Sequence, residues 1–374
     1  MYSRYLKQII EKRSTTKKAN VLIGARQVGK TTLLKKILEQ SDYLFLDGDN
    51  PTIRDLLNNI NTEQLKTIIG KYKIILIDEA QRINNIGLTV KIIIDQLQDI
   101  QIYVSGSSAF YLQNKLNESL TGRKWEYNLF PISWEEYQDK HGYLKSIQNL
   151  ENRILYGFYP EILNNIGEEQ LLLKQLVSSY LYKDILAFSN IRKPDVLEKL
   201  LKALAFQIGN EVSYNELSQI VGVDKGTIAK YIQILEQGYV IFRLPAYSKN
   251  LRNEIKKNQK IYFYDTGVRN TIINNFAPLS MRLDKGALWE NFLISERLKQ
   301  NLYKDTFTEM YFWRTKQQQE VDFVEIQNGL VRGFEFKWQA KKQAKLPITF
   351  TKTYNAKSVI VDINNFQEFV VLNN

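Results

Sequence analysis

Residues 24–31 read Gly24-Ala25-Arg26-Gln27-Val28-Gly29-Lys30-Thr31, a glycine, four other residues, a second glycine, then lysine and threonine. Glycines let a backbone wrap closely around a phosphate chain, so that successive N–H groups and a helix start point at the anion. Lys30 can then reach the outer phosphates, and the Thr31 hydroxyl can ligate Mg²⁺. Further on, the apolar run Ile74-Ile75-Leu76-Ile77 leads straight into Asp78-Glu79. A buried strand of that kind delivers two carboxylates at its end, Asp78 to hold Mg²⁺ through water and Glu79 to orient an attacking water. Each feature alone has a bland reading, a glycine-rich turn or an acidic strand end that caps a helix. Taken in this order they read as a phosphate site.

A second constellation lies near the end of the chain. Glu290 falls in a helical segment, Glu320-Val321-Asp322 in a strand, and Glu335-Phe336-Lys337 in the next strand. Residues i and i+2 of a strand face one side, so Glu335 and Lys337 project together. Asp322 on the paired strand can join Glu335 around Mg²⁺, with Lys337 placed to stabilise an attacking water or developing phosphate charge. Cross-strand pairs of acids and lysine on a half-solvated sheet are the ordinary alternative.

The elements that must position these groups follow from periodicity. Val21-Leu22-Ile23 enters the glycine turn as a strand, and residues 31–38 have helical spacing. Tyr43–Leu46, Ile74–Ile77 and Ile102–Val104 read as further strands, with a helix over 88–98 between the last two. Strand, helix, strand, helix predicts a parallel sheet covered on both faces. Beyond Tyr143 the pattern turns helical, with long segments over 145–156 and 168–188. Residues 196–245 give helix, helix, helix and a strand at 239–244. A helix over 287–300 and strands near 309–314, 320–326 and 331–337 make the end of the chain α+β.

The chain has 374 residues, no cysteine, one histidine (His141) and a formal net charge of +11. The length favours two or three domains. The missing cysteines exclude disulfides, thiolate zinc sites and a thiol nucleophile. The first residues lack an apolar signal core and no apolar run spans a bilayer, so the expectation is a cytoplasmic protein with no membrane partner. The positive charge favours a polyanion, with a lysine-rich solvated surface as the alternative.

The residues also carry a resemblance. Residues 1–135 resemble an AAA-type P-loop ATPase, of the archaeal and bacterial group with GARQVGKTT followed by ILIDEAQ. The resemblance implies ATP and Mg²⁺ as cofactors, with nucleotide contacts from Gly24 through Thr32 and metal contacts from Thr31 and Asp78. It makes Glu79 and Lys30 catalytic, and Ser107 or Ser108 the sensor of the outer phosphate. The stretch 119–136 resembles the end of that ATPase domain and makes Arg123 a candidate arginine finger, supplied in trans in a homo-oligomer; a surface salt bridge is its alternative role. Gly157–Glu161 and Tyr262–Gly267 resemble marks of the domain that commonly follows this ATPase.

Residues 196–245 resemble a winged helix-turn-helix, with Lys225, Thr227, Lys230 and Tyr231 as groove contacts and Lys249, Arg252, Lys256, Lys257 and Lys260 as phosphate contacts. Such modules also serve as protein-binding elements. Glu290, Asp322, Glu335 and Lys337 resemble the core of restriction-endonuclease-type nucleases. The expectation is therefore an α/β P-loop parallel-sheet ATPase domain over 1–140, a helical and winged-helix region over 141–270, and an α+β nuclease-like domain over 271–374. Its partner is expected to be DNA. The rival reading is a nucleotide-dependent signalling switch whose C-terminal half binds protein and is inert.

Overall fold

The computed structural model describes residues 1–97, 99–107, 120–179, 193–248, 259–304, 306–339 and 345–371. Ser108 and the basic residues Lys249, Arg252, Lys256 and Lys257 lie outside them. The chain forms two compact units, Met1–Ile132 with Gln237–Tyr239, and Ser133–Glu236 with Val240–Asn374.

The first unit is built on five parallel strands: β1 (Ala19–Gly24), β2 (Leu44–Asp47), β3 (Ile74–Asp78), β4 (Gln101–Gly106) and β5 (Lys124–Leu129). Their order is β2-β3-β4-β1-β5. Every residue of β1 is buried, and β3 and β4 are buried beyond their first residue. That is why these strands read as continuous apolar runs rather than alternating ones. The helix Lys30–Ile37 follows β1, and the helix Ile86–Gln96 precedes β4. Parallel strands all end on one edge, where the turns after β1 and β3 meet the end of β4. Ligands of open α/β sheets bind along that edge.

The second unit opens with short helices. Residues 145–156 do not form one helix; the segment breaks at Asn149 into Tyr143–Gln148 and Leu150–Tyr156. Of the helix expected over 168–188, Glu169–Val177 is helical and residues 180–188 lie outside the described ones. Three helices follow, Pro194–Phe206, Tyr214–Val221 and Lys225–Gln237, with strands β6 (Glu211–Val212), β7 (Ile241–Leu244) and β8 (Gln259–Phe263). These strands make an antiparallel sheet in the order β6-β8-β7. β7 starts at Ile241 rather than at Tyr239, because Tyr239 takes a left-handed φ of 58° and turns the chain.

The end of the chain is a helix, Lys285–Tyr303, then strands β9 (Glu309–Arg314), β10 (Glu320–Gln327) and β11 (Leu330–Phe336), the helix Ile348–Tyr354, and strand β12 (Lys357–Val361). The sheet order is β12-β11-β10-β9, antiparallel except for the β11–β12 pair. Trp134 packs edge-on against Phe158, Phe292 and Phe366, and Trp289 is fully buried beside Phe292. No described helix is long and apolar enough to cross a membrane.

Candidate functional site

The loop after β1 is shaped by its neighbours. A Cβ on Gly24 would lie 2.1 Å from the Leu129 carbonyl oxygen of β5, so only glycine fits there. Gln27 and Gly29 both take left-handed φ values, 59° and 95°, and Gly29 caps the helix Lys30–Ile37. Arg4, buried just ahead of the helix Tyr5–Arg13, donates from Nη1 to the Val28 carbonyl at 2.8 Å and from Nη2 to the Phe130 carbonyl at 2.6 Å. Fixing the Val28 carbonyl fixes the planar Val28–Gly29 peptide, and so aims the Gly29 N–H to the opposite side. Ala25 and Val28 are buried, Arg26 is half-buried, and Gln27 and Thr32 are exposed.

Lys30 turns inward. Its Nζ donates to the carbonyls of Gly24 at 3.1 Å and Ala25 at 2.8 Å, and the residue is only 5% exposed. Burial lowers its pKa to about 8, although Glu79 and Asp78 pull it back up. The Thr31 hydroxyl donates to Asp78 Oδ2 at 2.7 Å, and Ser105 donates to the other carboxylate oxygen. A hydroxyl and a carboxylate side by side are an oxygen pair suited to a hard cation. Thr31 and Asp78 therefore fit Mg²⁺.

Glu79 sits just past β3 in a left-handed conformation, φ 45° and ψ 41°. A Cβ on Gly48 would lie 2.5 Å from the Glu79 carbonyl oxygen, and Gly48 N–H donates to the Asp78 carbonyl at 2.9 Å. Gln81, 2% exposed, donates through Nε2 to the Glu79 carboxylate and, at 2.9 Å, to Ser107 Oγ. Ser107 lies 3.3 Å from Glu79 Oε2. Lys30, Thr31, Asp78, Glu79 and Ser107 thus meet on one edge of the sheet. Sequence reasoning missed Arg4, Gly48, Gln81 and Ser105. The last had a visible signal, because Ser105 and Ser107 alternate along one strand face.

Arg123 does not join them. It precedes β5, where its carbonyl accepts from Ala19 N–H at the start of β1, and its guanidinium pairs with Asp95 at 2.7 Å on the surface. The loop lies at the other end of β1, about 17 Å away at the rise of a parallel strand.

The C-terminal constellation is brought together. The β10–β11 register pairs Phe323 with Phe334, which sets Asp322 directly across from Glu335. Asp322 accepts from Phe336 N–H at 2.8 Å, and Lys337 pairs with Glu335 at 2.6 Å. Burial, then the nearby Glu290 and Glu335 charges, raise the Asp322 pKa to about 8. Glu290 accepts from the Tyr262 hydroxyl and from Lys260 at 3.1 Å, and Lys260 also pairs with Glu320 at 2.6 Å. Burial works against the charge of Lys260, but Glu290 and Glu320 hold its pKa above the ordinary lysine value. Lys260 was expected to face a nucleic-acid backbone. Its side chain is instead 1% exposed, enclosed by these two acids. Tyr231, expected in a groove, packs in the core at 7% exposure, whereas Lys225 and Lys230 are exposed. Among the described residues no three His, Asp or Glu side chains are arranged to hold a metal ion.

Comparison with known proteins gives three family matches. Residues 16–138 match the model of an AAA domain, and residues 147–279 and 285–372 match two domains of unknown function, DUF8612 and DUF4143. The chain is 26% identical over 322 residues to the uncharacterized protein Rv2008c of Mycobacterium tuberculosis, covering 85% of this chain and 69% of that protein. It is 22% identical over 347 residues to the uncharacterized protein MJ1544 of Methanocaldococcus jannaschii, covering 86% and 75%. Among solved structures, the Walker-type ATPase PABY2304 of Pyrococcus abyssi superposes with a TM-score of 0.51 at 16% identity, over 73% of this chain and 96% of that one. The parallel-sheet core thus shares the fold of that Walker-type ATPase, and it is followed by a helical region and a C-terminal α+β sheet.

Proposed function

We propose that the first unit binds ATP with Mg²⁺ and hydrolyses it. The observation that carries this reading is the hydrogen bond from Thr31 to Asp78, which joins the phosphate loop to the acidic strand end. Nucleotide contacts run from Gly24 to Thr32. Lys30 exchanges its two loop carbonyls for the outer phosphates, and Ser107 senses the last of them. Thr31 and Asp78 hold the Mg²⁺, whose chemistry is to neutralise phosphate charge. Glu79 accepts a hydrogen bond from the attacking water and aligns it, while Gln81 and Ser107 hold its carboxylate. Arg123 is too far from its own loop to act there, so a finger role would require it to serve a neighbouring copy in a homo-oligomer.

The test is a pair of variants. Glu79→Gln keeps nucleotide binding and loses hydrolysis, while Lys30→Ala loses binding. Hydrolysis at the parental rate by the Glu79→Gln protein would overturn the role of Glu79.

The rest of the chain belongs to the same reading. Residues 1–140 supply the ATPase, 141–270 a winged-helix region, and 271–374 a nuclease-like domain, and the chain acts on DNA in the cytoplasm. Asp322 across from Glu335, with Lys337 two residues on, is the observation that favours the nuclease-like assignment. The exposed Lys225 and Lys230 on the helix Lys225–Gln237 supply positive charge for a phosphate backbone.

A further inference from the structure

We propose that Lys260 is the built-in cation of the C-terminal acidic cluster: it engages Glu290, which a divalent metal at Asp322 and Glu335 would also need, and so closes the site to that metal. The proposal rests on the reading of Glu290, Asp322, Glu335 and Lys337 as a metal-dependent constellation.

The carboxylates are already engaged by donors of the protein itself. Glu290 Oε1 accepts from both Lys260 and Tyr262, Asp322 Oδ2 from Phe336 N–H, and Glu335 Oε1 from Lys337. Lys260 Nζ spans Glu290 at 3.1 Å and Glu320 at 2.6 Å. Those are ammonium distances. Mg²⁺ requires oxygens at about 2.0–2.1 Å in a near-octahedral shell, so the acids would have to close in around it. In keeping with this, no three acidic side chains among the described residues are arranged as a metal-binding group.

Lys260 is also held in place. It lies in the central strand of the β6-β8-β7 sheet, opposite Glu211 on one side and Leu244 on the other. Its Nζ stands 5.4 Å from the Phe312 ring centroid. A charge held rigidly beside its partners competes at an effective concentration that a free ion does not reach. A buried ion pair rarely stabilises a fold more than apolar packing does, so stability alone gives little reason for a lysine here. The counter-charge demanded by the acids does give one.

The experiment is a Mn²⁺ titration of the nucleotide-free full chain, followed by electron paramagnetic resonance, for the parent, Lys260→Met and Lys260→Met/Asp322→Asn. Methionine keeps the apolar stem and removes the charge. The expected result is one additional Mn²⁺ per chain in Lys260→Met, bound at least tenfold more tightly than by the parent, and lost in the double variant. If Lys260→Met does not fold, Glu320→Gln removes one of the lysine's two anchors and should give a smaller gain in the same direction. A parent that binds Mn²⁺ as tightly as the Lys260→Met protein, and loses it on Asp322→Asn, overturns the proposal and leaves the metal-dependent reading standing. No Mn²⁺ at this site in any variant overturns both.

Discussion

Arg4 and Phe130 are 126 positions apart in sequence, yet the Arg4 guanidinium donates to the Phe130 carbonyl at 2.6 Å while its other Nη holds Val28 of the phosphate loop. One side chain thereby ties the loop to the chain leaving β5. Arg4→Ala leaves two buried carbonyls without this donor, which should cost about 2–4 kcal/mol of stability. Arg4→Lys offers one compact charge in place of a planar fork and should recover only part. Thermal melts give the stability, and fluorescent-nucleotide titrations give the affinity of the folded fraction. Unchanged affinity in Arg4→Ala would mean the clamp serves the fold alone.

Lys30 is predicted to be a liability to the empty fold. Lowering a lysine pKa from 10.5 to about 8 corresponds to about 3 kcal/mol of disfavoured charge. Between pH 8 and 10.5 the unfolded chain holds a proton that the native one has released, so stability should rise with pH across that window. Lys30→Met should therefore melt higher than the parent at neutral pH without nucleotide, lose nucleotide binding, and flatten this pH dependence. A calorimetric scan showing the variant less stable at pH 7 would count against it.

Arg123 gives a prediction about assembly. Its pair with Asp95 is exposed and is worth only about 0.2–1 kcal/mol, so Arg123→Ala should fold normally. Its turnover should fall by at least tenfold, and mixing it with the Lys30→Ala protein should restore part of the activity. Specific activity of the parent should climb with protein concentration. A rate per chain that stays constant on dilution rules out the finger in trans.

Binding to DNA should be electrostatic and independent of sequence. Reversing both charges in Lys225→Glu/Lys230→Glu should weaken binding to any duplex and lower the salt slope by about 1–2. Filter binding at several salt concentrations measures both. An unchanged slope would move the contact elsewhere on the chain.

The site was legible where its chemistry is continuous in the chain. The phosphate loop and the acidic strand end are each one short run, and the parallel sheet between them follows from buried apolar strands. What could not be read depends on distant partners. Arg4 looks like any N-terminal arginine until β5 returns beside β1, and Gln81 has no visible role before β4 brings Ser107 to it. Lys260 follows a basic run and so reads as solvated. Its burial depends on Glu290 and Glu320, which arrive 30 and 60 positions later. Helix breaks were missed for a local reason: the apolar spacing of 145–156 continues through Asn149 although the backbone does not.

The tight approach of Gly24 to the Leu129 carbonyl bears on how loss-of-function variants of this protein are chosen. Any side chain at Gly24 wedges apart the two strands β1 and β5, so such a variant damages the scaffold before it touches a ligand. Genetic experiments that knock out the loop through this glycine would confuse degradation of a misfolded chain with the silencing of an intact one. Lys30, whose replacement should leave the strands together, is the position at which the two phenotypes separate.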